Sequence, residues 1–286
     1  ECVIMYQSSR RVASCVAALG SAALAVLSAG PAAAQAIPAT LSSASVDAGY
    51  RVTLNGFDLG TFSFKSNVGD SEYTLHTNVE LSALLGVFRW KGVTQVSGSV
   101  GDKRPAPSDF RFDYESSVRN GSVIMGFDKN NVDHVTVLPV VREPEDTVPL
   151  ERKHLANVLD PLSAILVLTH SDAATPCGRT VAIFDGKQRF NISLHEARKI
   201  TLAGTQGERA TVCRVKYTPL SGYRANAETR HLAQTKDIEI TFRMVPAAKL
   251  MVPQSVSVPT GAGTARIDLE RISIQLPERG RVASVD

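Results

Sequence analysis

The sequence predicts a mainly β protein, with antiparallel strands forming a curled sheet or open barrel wrapped around one buried helix. Three observations carry this expectation. Short runs of alternating apolar and polar residues, punctuated by Gly, Pro, Asn and Asp, recur from Ser45 to Gln275. One segment, Pro161 to Leu168, is apolar on almost every side and follows the helix-start pair Asp160-Pro161. The chain of 286 residues is 43% hydrophobic and 21% charged, the composition of a packed domain. That composition excludes a collagen-like, wholly disordered or multi-span membrane protein. No internal repeat marks a propeller or solenoid.

The elements follow in order. Val46 to Leu54 alternates, Asn55-Gly56 is a hairpin turn signal, and Leu59 to Phe64 answers it. Gly69-Asp70 turns into a strand from Glu72 to Val79. Glu80 to Leu85 reads as a helical turn before a long strand, Val87 to Val100. Pro105 and Pro107 interrupt the meander, which resumes at Phe110 to Glu115, Gly121 to Phe127 and Val132 to Val140. Links this short make antiparallel neighbours. Pro149 to Leu159 mixes charges and Leu at helix-compatible spacing. The helix from Pro161 must be buried, because no side of it is polar, and it is too short to span a bilayer. Strands return at Thr180 to Phe184 and Arg189 to Leu194, joined by Asp185-Gly186, which reads as a tight type I′ turn. Further strands are Lys199 to Leu202, Ala210 to Tyr217, Ile238 to Val245, Gln254 to Val258 and Thr264 to Gln275, the last two joined by a hairpin loop at Gly261-Ala262-Gly263.

Ahead of these strands lies a targeting pattern. Met5 is followed by Arg10-Arg11, an apolar stretch from Val12 to Ala29, the breaker Gly30-Pro31 and a run of small residues to Ala36. This reads as a signal peptide over residues 1–34, cleaved after Ala34 or Ala36 by the general secretory route, with a retained anchor as the alternative. It leaves one β-rich domain over 37–275 and a flexible tail over 276–286, and it sends the protein to the periplasm with no transmembrane span after leader removal. Cys15 precedes the apolar segment's end, so lipidation at it is not expected. Cys177 and Cys213 then remain as the mature cysteines, which in an oxidising compartment reads as one disulfide, the alternative being two separate buried thiols.

Leu159-Asp160-Pro161-Leu162-Ser163-Ala164, the later Phe184-Asp185-Gly186-Lys187-Gln188-Arg189-Phe190, and Tyr50-Arg51-Val52 with Gly60 together resemble an exported bacterial family known as domain of unknown function 3108. The resemblance covers most of the chain beyond the leader. It implies a cell-envelope protein whose antiparallel strands wind around a helix. It carries over no catalytic residue. Asp160, Pro161, Ser163, Asp185, Gly186 and Arg189 match the family pattern without fixing a chemistry.

Asp160, Ser163 and His170 could suggest a hydrolytic triad, yet residues seven apart on a helix are about 10 Å apart along its axis, too far for a serine to be activated. No Gly-x-Ser-x-Gly elbow occurs. Helix capping explains Asp160 and Ser163 instead. His195-Glu196 lacks a second His at zincin spacing, and His76 with Glu80 is a lone pair, so no metal and no cofactor is expected. Arg189 alone stays open as a residue projecting toward a partner, against a solvated side chain. A formal net charge of +3 without a polybasic run argues against nucleic acid. The expectation is a non-enzymatic envelope protein that binds a lipid or other apolar ligand, or an envelope protein partner, and supports envelope integrity. The alternative is a periplasmic hydrolase or transferase acting on envelope polymers.

Overall fold

A computed structural model describes residues 43–83, 86–101, 104–140, 142–170, 176–203, 205, 207–276 and 282–285. All of them belong to one compact unit, Gln35–Asp286. The leader and its two cleavage sites lie outside the described residues.

Seven strands come first: β1 (Ala44–Leu54), β2 (Phe57–Val68), β3 (Glu72–Ala83), β4 (Phe88–Val100), β5 (Pro105–Ser116), β6 (Gly121–Asp128) and β7 (Asn131–Leu138). Helix α1 (Pro161–Thr169) follows, then β8 (Thr180–Phe184), β9 (Arg189–Thr201), β10 (Arg209–Ser221), helix α2 (Ala227–Gln234), β11 (Glu239–Val245), β12 (Leu250–Thr260), β13 (Gly263–Gln275) and β14 (Val282–Val285). The strands form a single antiparallel sheet in the order β7-β6-β5-β4-β3-β2-β1-β13-β12-β11-β10-β9-β8. Each meander is built from neighbours in sequence. The pairing of β1 with β13, Leu54 opposite Ala265 through Ser45 opposite Gln275, welds the two meanders together.

The sheet is not closed by strand pairing, since β7 and β8 end it. A short strap spans that gap. The Val158 N–H donates to Asn130 O at the β6–β7 turn, while the Leu159 N–H donates to Ala182 O and the Phe184 N–H donates to Leu159 O along β8. Through Leu159 the strap pairs with the β8 edge, while it touches the other end of the sheet at the β6–β7 turn.

Alternation sets the inner face. In β2 the residues Phe64, Ser66 and Val68 are buried while Thr61, Lys65 and Asn67 are exposed. Helix α1 lies against this face and contacts β5, β8 and β12. It ties two apolar clusters: Leu162 and Leu166 pack with Tyr73, Phe110, Val123 and Met125. Ala164 and Leu168 pack with Val181, Ile183, Leu194 and Phe242. The helix thus serves both halves of the sheet, which is why it carries no polar stripe.

Several expectations change. Glu80 to Ala83 is not a helical turn but continues β3, with Glu80 between Thr61 and Lys91 and Leu81 between Gly60 and Trp90. Pairing on both sides overrides the helix propensity of that stretch. Pro105 and Pro107 do not interrupt β5. They pair with Val100 and Gly98 of β4, whereas β6 joins β5 only from Asp109, so each proline faces a side with no ladder to lose. Asp185-Gly186 is not a two-residue turn, because Phe184 pairs with Arg189 and a four-residue loop closes the hairpin. Residues 189–201 form one strand, with a register shift where Glu196 faces Cys213 and Arg198 faces Val212. Between Pro149 and Leu159 only a 3-10 turn, Arg152–Leu155, forms. Helix α2, capped by Asn226 on the Thr229 N–H, is an addition to the expected set. Of the C-terminal tail, Val282–Val285 pairs with β13.

Candidate functional site

The motif residues first show what they do. Asp160 is fully buried at the N-cap of α1, where its Oδ1 accepts from the N–H groups of Leu162 at 2.9 Å and Ser163 at 3.0 Å. Pro161 occupies the first helical turn, where no N–H is needed. Burial raises the Asp160 carboxyl to about 6, against the Ser163 side chain and the helix N–H bonds, which pull the other way. Its second oxygen has no hydrogen-bond partner.

Ser163 Oγ pairs at 2.8 Å with Tyr73 Oη, and both residues are buried. Burial, with the nearby Asp160 carboxylate second, keeps the Tyr73 phenol well above its ordinary range. His170 closes the other end of the helix, its Nδ1 3.0 Å from Leu166 O. Asp160, Ser163 and His170 are therefore not brought together as a triad. The partner of Ser163 is a tyrosine ninety residues away in sequence, a contact that no local motif announces.

The second motif closes the β8–β9 hairpin. Asp185 Oδ1 accepts from the N–H groups of Lys187 at 2.9 Å and Gln188 at 2.7 Å, an Asx turn that uses the side chain in place of a backbone carbonyl. Burial raises the Asp185 carboxyl. Gly186 lies so near β6 that a Cβ there would stand 2.2 Å from Val123 Cγ1. Arg189 is half-buried and folds along its own strand, donating to Phe190 O and to Asn191 Oδ1 at 2.8 Å. Its guanidinium is pushed below its ordinary value by burial. Cys177 and Cys213 form a disulfide, with Cα atoms 5.7 Å apart and both residues buried.

His76 and Glu80 sit on one strand, where four residues span about 13 Å, so they do not converge on an ion. Among the described residues no group of three or more His, Cys, Asp or Glu side chains could hold a metal.

An apolar cavity of about 490 Å³ lies between α1 and the sheet. Its deep wall is made by Ala48 and Tyr50 of β1, Phe64 of β2, Phe242 of β11, Leu250 of β12 and Ile272 of β13. The last turn of α1 lines the facing side with Ile165, Leu168, Thr169 and His170. Polar atoms there are few and largely engaged: Thr169 Oγ1 donates to Ile165 O at 3.0 Å. Burial drives the Tyr50 phenol upward, as expected of a hydroxyl in so apolar a wall.

The mouth of the cavity is legible in the strand register. Leu81, Gly60, Val52, Ile267, Val256 and Ile240 are successive cross-strand partners on six neighbouring strands. All but Gly60 line the cavity, and most are half-buried whereas the deep wall is buried. Gly60 is required where it stands: its φ is +140°, and a Cβ would meet Glu80 O at 2.0 Å. The same row continues through Leu81 to Trp90 and Ser116, so an open groove lined by Leu81, Trp90 and Ser116 adjoins the mouth. Alternation in the sequence identified most inward residues, but nothing local in it said that α1 stops short of filling the space they enclose.

Comparison with known proteins yields a family. No curated protein matches the chain. A crystal structure of a beta-barrel-like protein of domain of unknown function DUF1849 from Brucella abortus is similar at 10% identity and a TM-score of 0.49, covering 82% of this chain and 99% of that one. The family described as protein of unknown function (DUF3108) matches residues 49–270, a span holding Tyr50, Gly60, both motifs and the disulfide. The chain therefore belongs to the DUF3108 family.

Proposed function

We propose that this protein is a non-enzymatic carrier or sensor of an apolar ligand in the bacterial periplasm, the ligand being a lipid acyl chain or a molecule of similar shape. The observation that carries the reading is the cavity of about 490 Å³. Its volume falls in the range of small-molecule sites, about 300–1,000 Å³. It is also about three times that of an apolar cavity that accepts benzene. A cavity walled mainly by Phe, Leu, Ile and Val gains from excluding water and offers few polar groups with which to orient a polar substrate. Chemistry would need a nucleophile and base within reach of one another. Ser163, the nucleophile that the sequence raised, is instead sealed beneath Tyr73.

The compartment rests on two supports. A disulfide persists in oxidising spaces, and the first 34 residues have the pattern of a secretory leader. Sequencing the N-terminus of the exported protein is expected to give Gln35 or Ile37, and an intact leader in the periplasmic fraction would overturn the assignment.

The ligand reading is tested with a fluorescent fatty-acid probe. The mature protein is expected to bind it, and Val79→Trp, which adds a bulky ring to the cavity lining two residues from Leu81 on β3, is expected to weaken binding about tenfold with an unchanged unfolding midpoint. Native mass spectrometry of protein purified from periplasm gives a second readout. A wild-type protein that neither carries lipid nor takes up the probe would sink the proposal.

A further inference from the structure

Exposed apolar residues are not scattered evenly over this sheet. Phe57, Val87 and Val118 are 77, 76 and 83% exposed, with Phe88 beside Val87 and Leu138 also exposed. They occupy the β1–β2, β3–β4 and β5–β6 turns and the end of β7. By the antiparallel register all of these lie at one end of the strands. The turns at the opposite end carry polar exposed residues: Asp70 and Ser71 between β2 and β3, and Lys129 between β6 and β7. Exposed apolar side chains are ordinary singly, but a row of them at one end is a surface with a use.

That end is also where the cavity opens. The row that rims its mouth runs through Gly60 and Leu81 and continues into the adjoining groove at Trp90 and Ser116. Phe57 lies three residues beyond Gly60, Phe88 two beyond Trp90, and Val118 two beyond Ser116. At the rise of a strand these tips stand about 7–10 Å past that row. Two of the turns are fixed to each other: Ser117 Oγ accepts from the Arg89 N–H at 2.9 Å and donates to Val87 O at 3.2 Å, and the Ser117 N–H donates to Arg89 O at 3.0 Å. The apolar tips are thus held rigidly side by side. Arg89 follows Phe88 and Arg119 follows Val118, both exposed, whereas the acidic residue beside Phe57, Asp58, is paired with Arg51 at 3.3 Å.

We infer that this end of the sheet is a membrane-docking face: the hairpin tips insert into the headgroup region of an anionic bilayer and bring the cavity mouth against the lipid. The depth matches, because an interfacial apolar element sinks roughly 5–10 Å into the headgroup boundary. The charge matches too, since each arginine can lay its stem along the apolar tip and present its guanidinium to lipid phosphates. The inference deepens the ligand reading and rests on it for its purpose, because a carrier of an acyl chain must exchange that chain with a membrane without exposing it to water.

The test is flotation of the mature protein with vesicles of phosphatidylethanolamine and phosphatidylglycerol, beside vesicles of phosphatidylcholine alone. Flotation with the anionic vesicles is expected, together with quenching of Trp90, the sole tryptophan, by brominated lipid. The Val87→Asp/Val118→Asp double variant, changed at exposed positions outside the cavity, is expected to float roughly tenfold less. Its unfolding midpoint and its uptake of fatty-acid probe without vesicles should stay unchanged. Absence of wild-type flotation and quenching, or equal flotation of the double variant, overturns the docking face. So does a soluble dimer that the double variant disrupts while flotation persists, since the tips then meet a second copy. Flotation that depends on the tips in a protein that takes up no probe supports the face and overturns the ligand reading instead.

Discussion

At the scale of the residue, the buried polar groups around α1 set testable energies. Asp160 is buried with one oxygen unpartnered, and its carboxyl is raised to about 6 from 3.8. Between those values the folded protein binds a proton that the unfolded chain does not. The resulting stabilisation is fully present below about pH 4 and is lost as pH rises through about 6. At about 1.4 kcal/mol per unit, the loss amounts to roughly 2–3 kcal/mol. Asp160→Asn keeps a good N-cap while removing the titration. Urea unfolding at several pH values is expected to show the wild type weakening across this window and the variant nearly flat by comparison; parallel profiles would refute the assignment. Ser163→Ala strands the Tyr73 hydroxyl in the core and is expected to cost about 1–3 kcal/mol, whereas Tyr73→Phe with Ser163→Ala removes both partners and should cost less than the single change. A double-mutant cycle by urea unfolding measures this, and additive losses would show that the pair is not coupled.

At the scale of the element, α1 contributes side chains to both apolar clusters, as do β8, β11 and β12. Leu166 is buried in the first of them, and Leu166→Ala is expected to cost about 2–5 kcal/mol, the spread depending on how far the site collapses. Thermal unfolding measures it, and a loss near zero would mean that the helix is not packed as described. The helix was legible because Asp160-Pro161 marks its start and its apolar residues run all round. The β1–β2 turn was legible for a similar reason, since Asn55 and Gly56 both take positive φ as a tight hairpin requires. The continuation of β3 through Ala83 was not legible, nor was β5 beginning at Pro105, because neighbouring strands decide each case. The Asx turn at Asp185 was missed for a related reason: Asp-Gly is compatible with more than one loop length, and docking against Val123 selects the longer one.

At the scale of the whole molecule, the disulfide joins the segment before β8 to β10 and closes a loop of 36 residues. Replacing both cysteines, as Cys177→Ser/Cys213→Ser, is expected to cost roughly 3–4 kcal/mol on the chain-entropy account. Urea midpoints of the oxidised wild type and the double variant test it, and equal midpoints would contradict that account. The sequence by itself determined the strand-rich class, most strand positions and the helix with its cap, because alternation, capping and turn chemistry act over a few residues; it made Cys177 and Cys213 the expected pair, and the structure brings their Cα atoms within bridging reach. Only the tertiary structure decided that β1 pairs with β13, that Tyr73 reaches Ser163, and that Leu81 to Ile240 form one rim around a cavity with apolar tips beyond it. Those facts depend on register and curvature summed over many strands. Local residue patterns constrain each strand to a face but leave open which distant strand, and how much empty space, that face will meet.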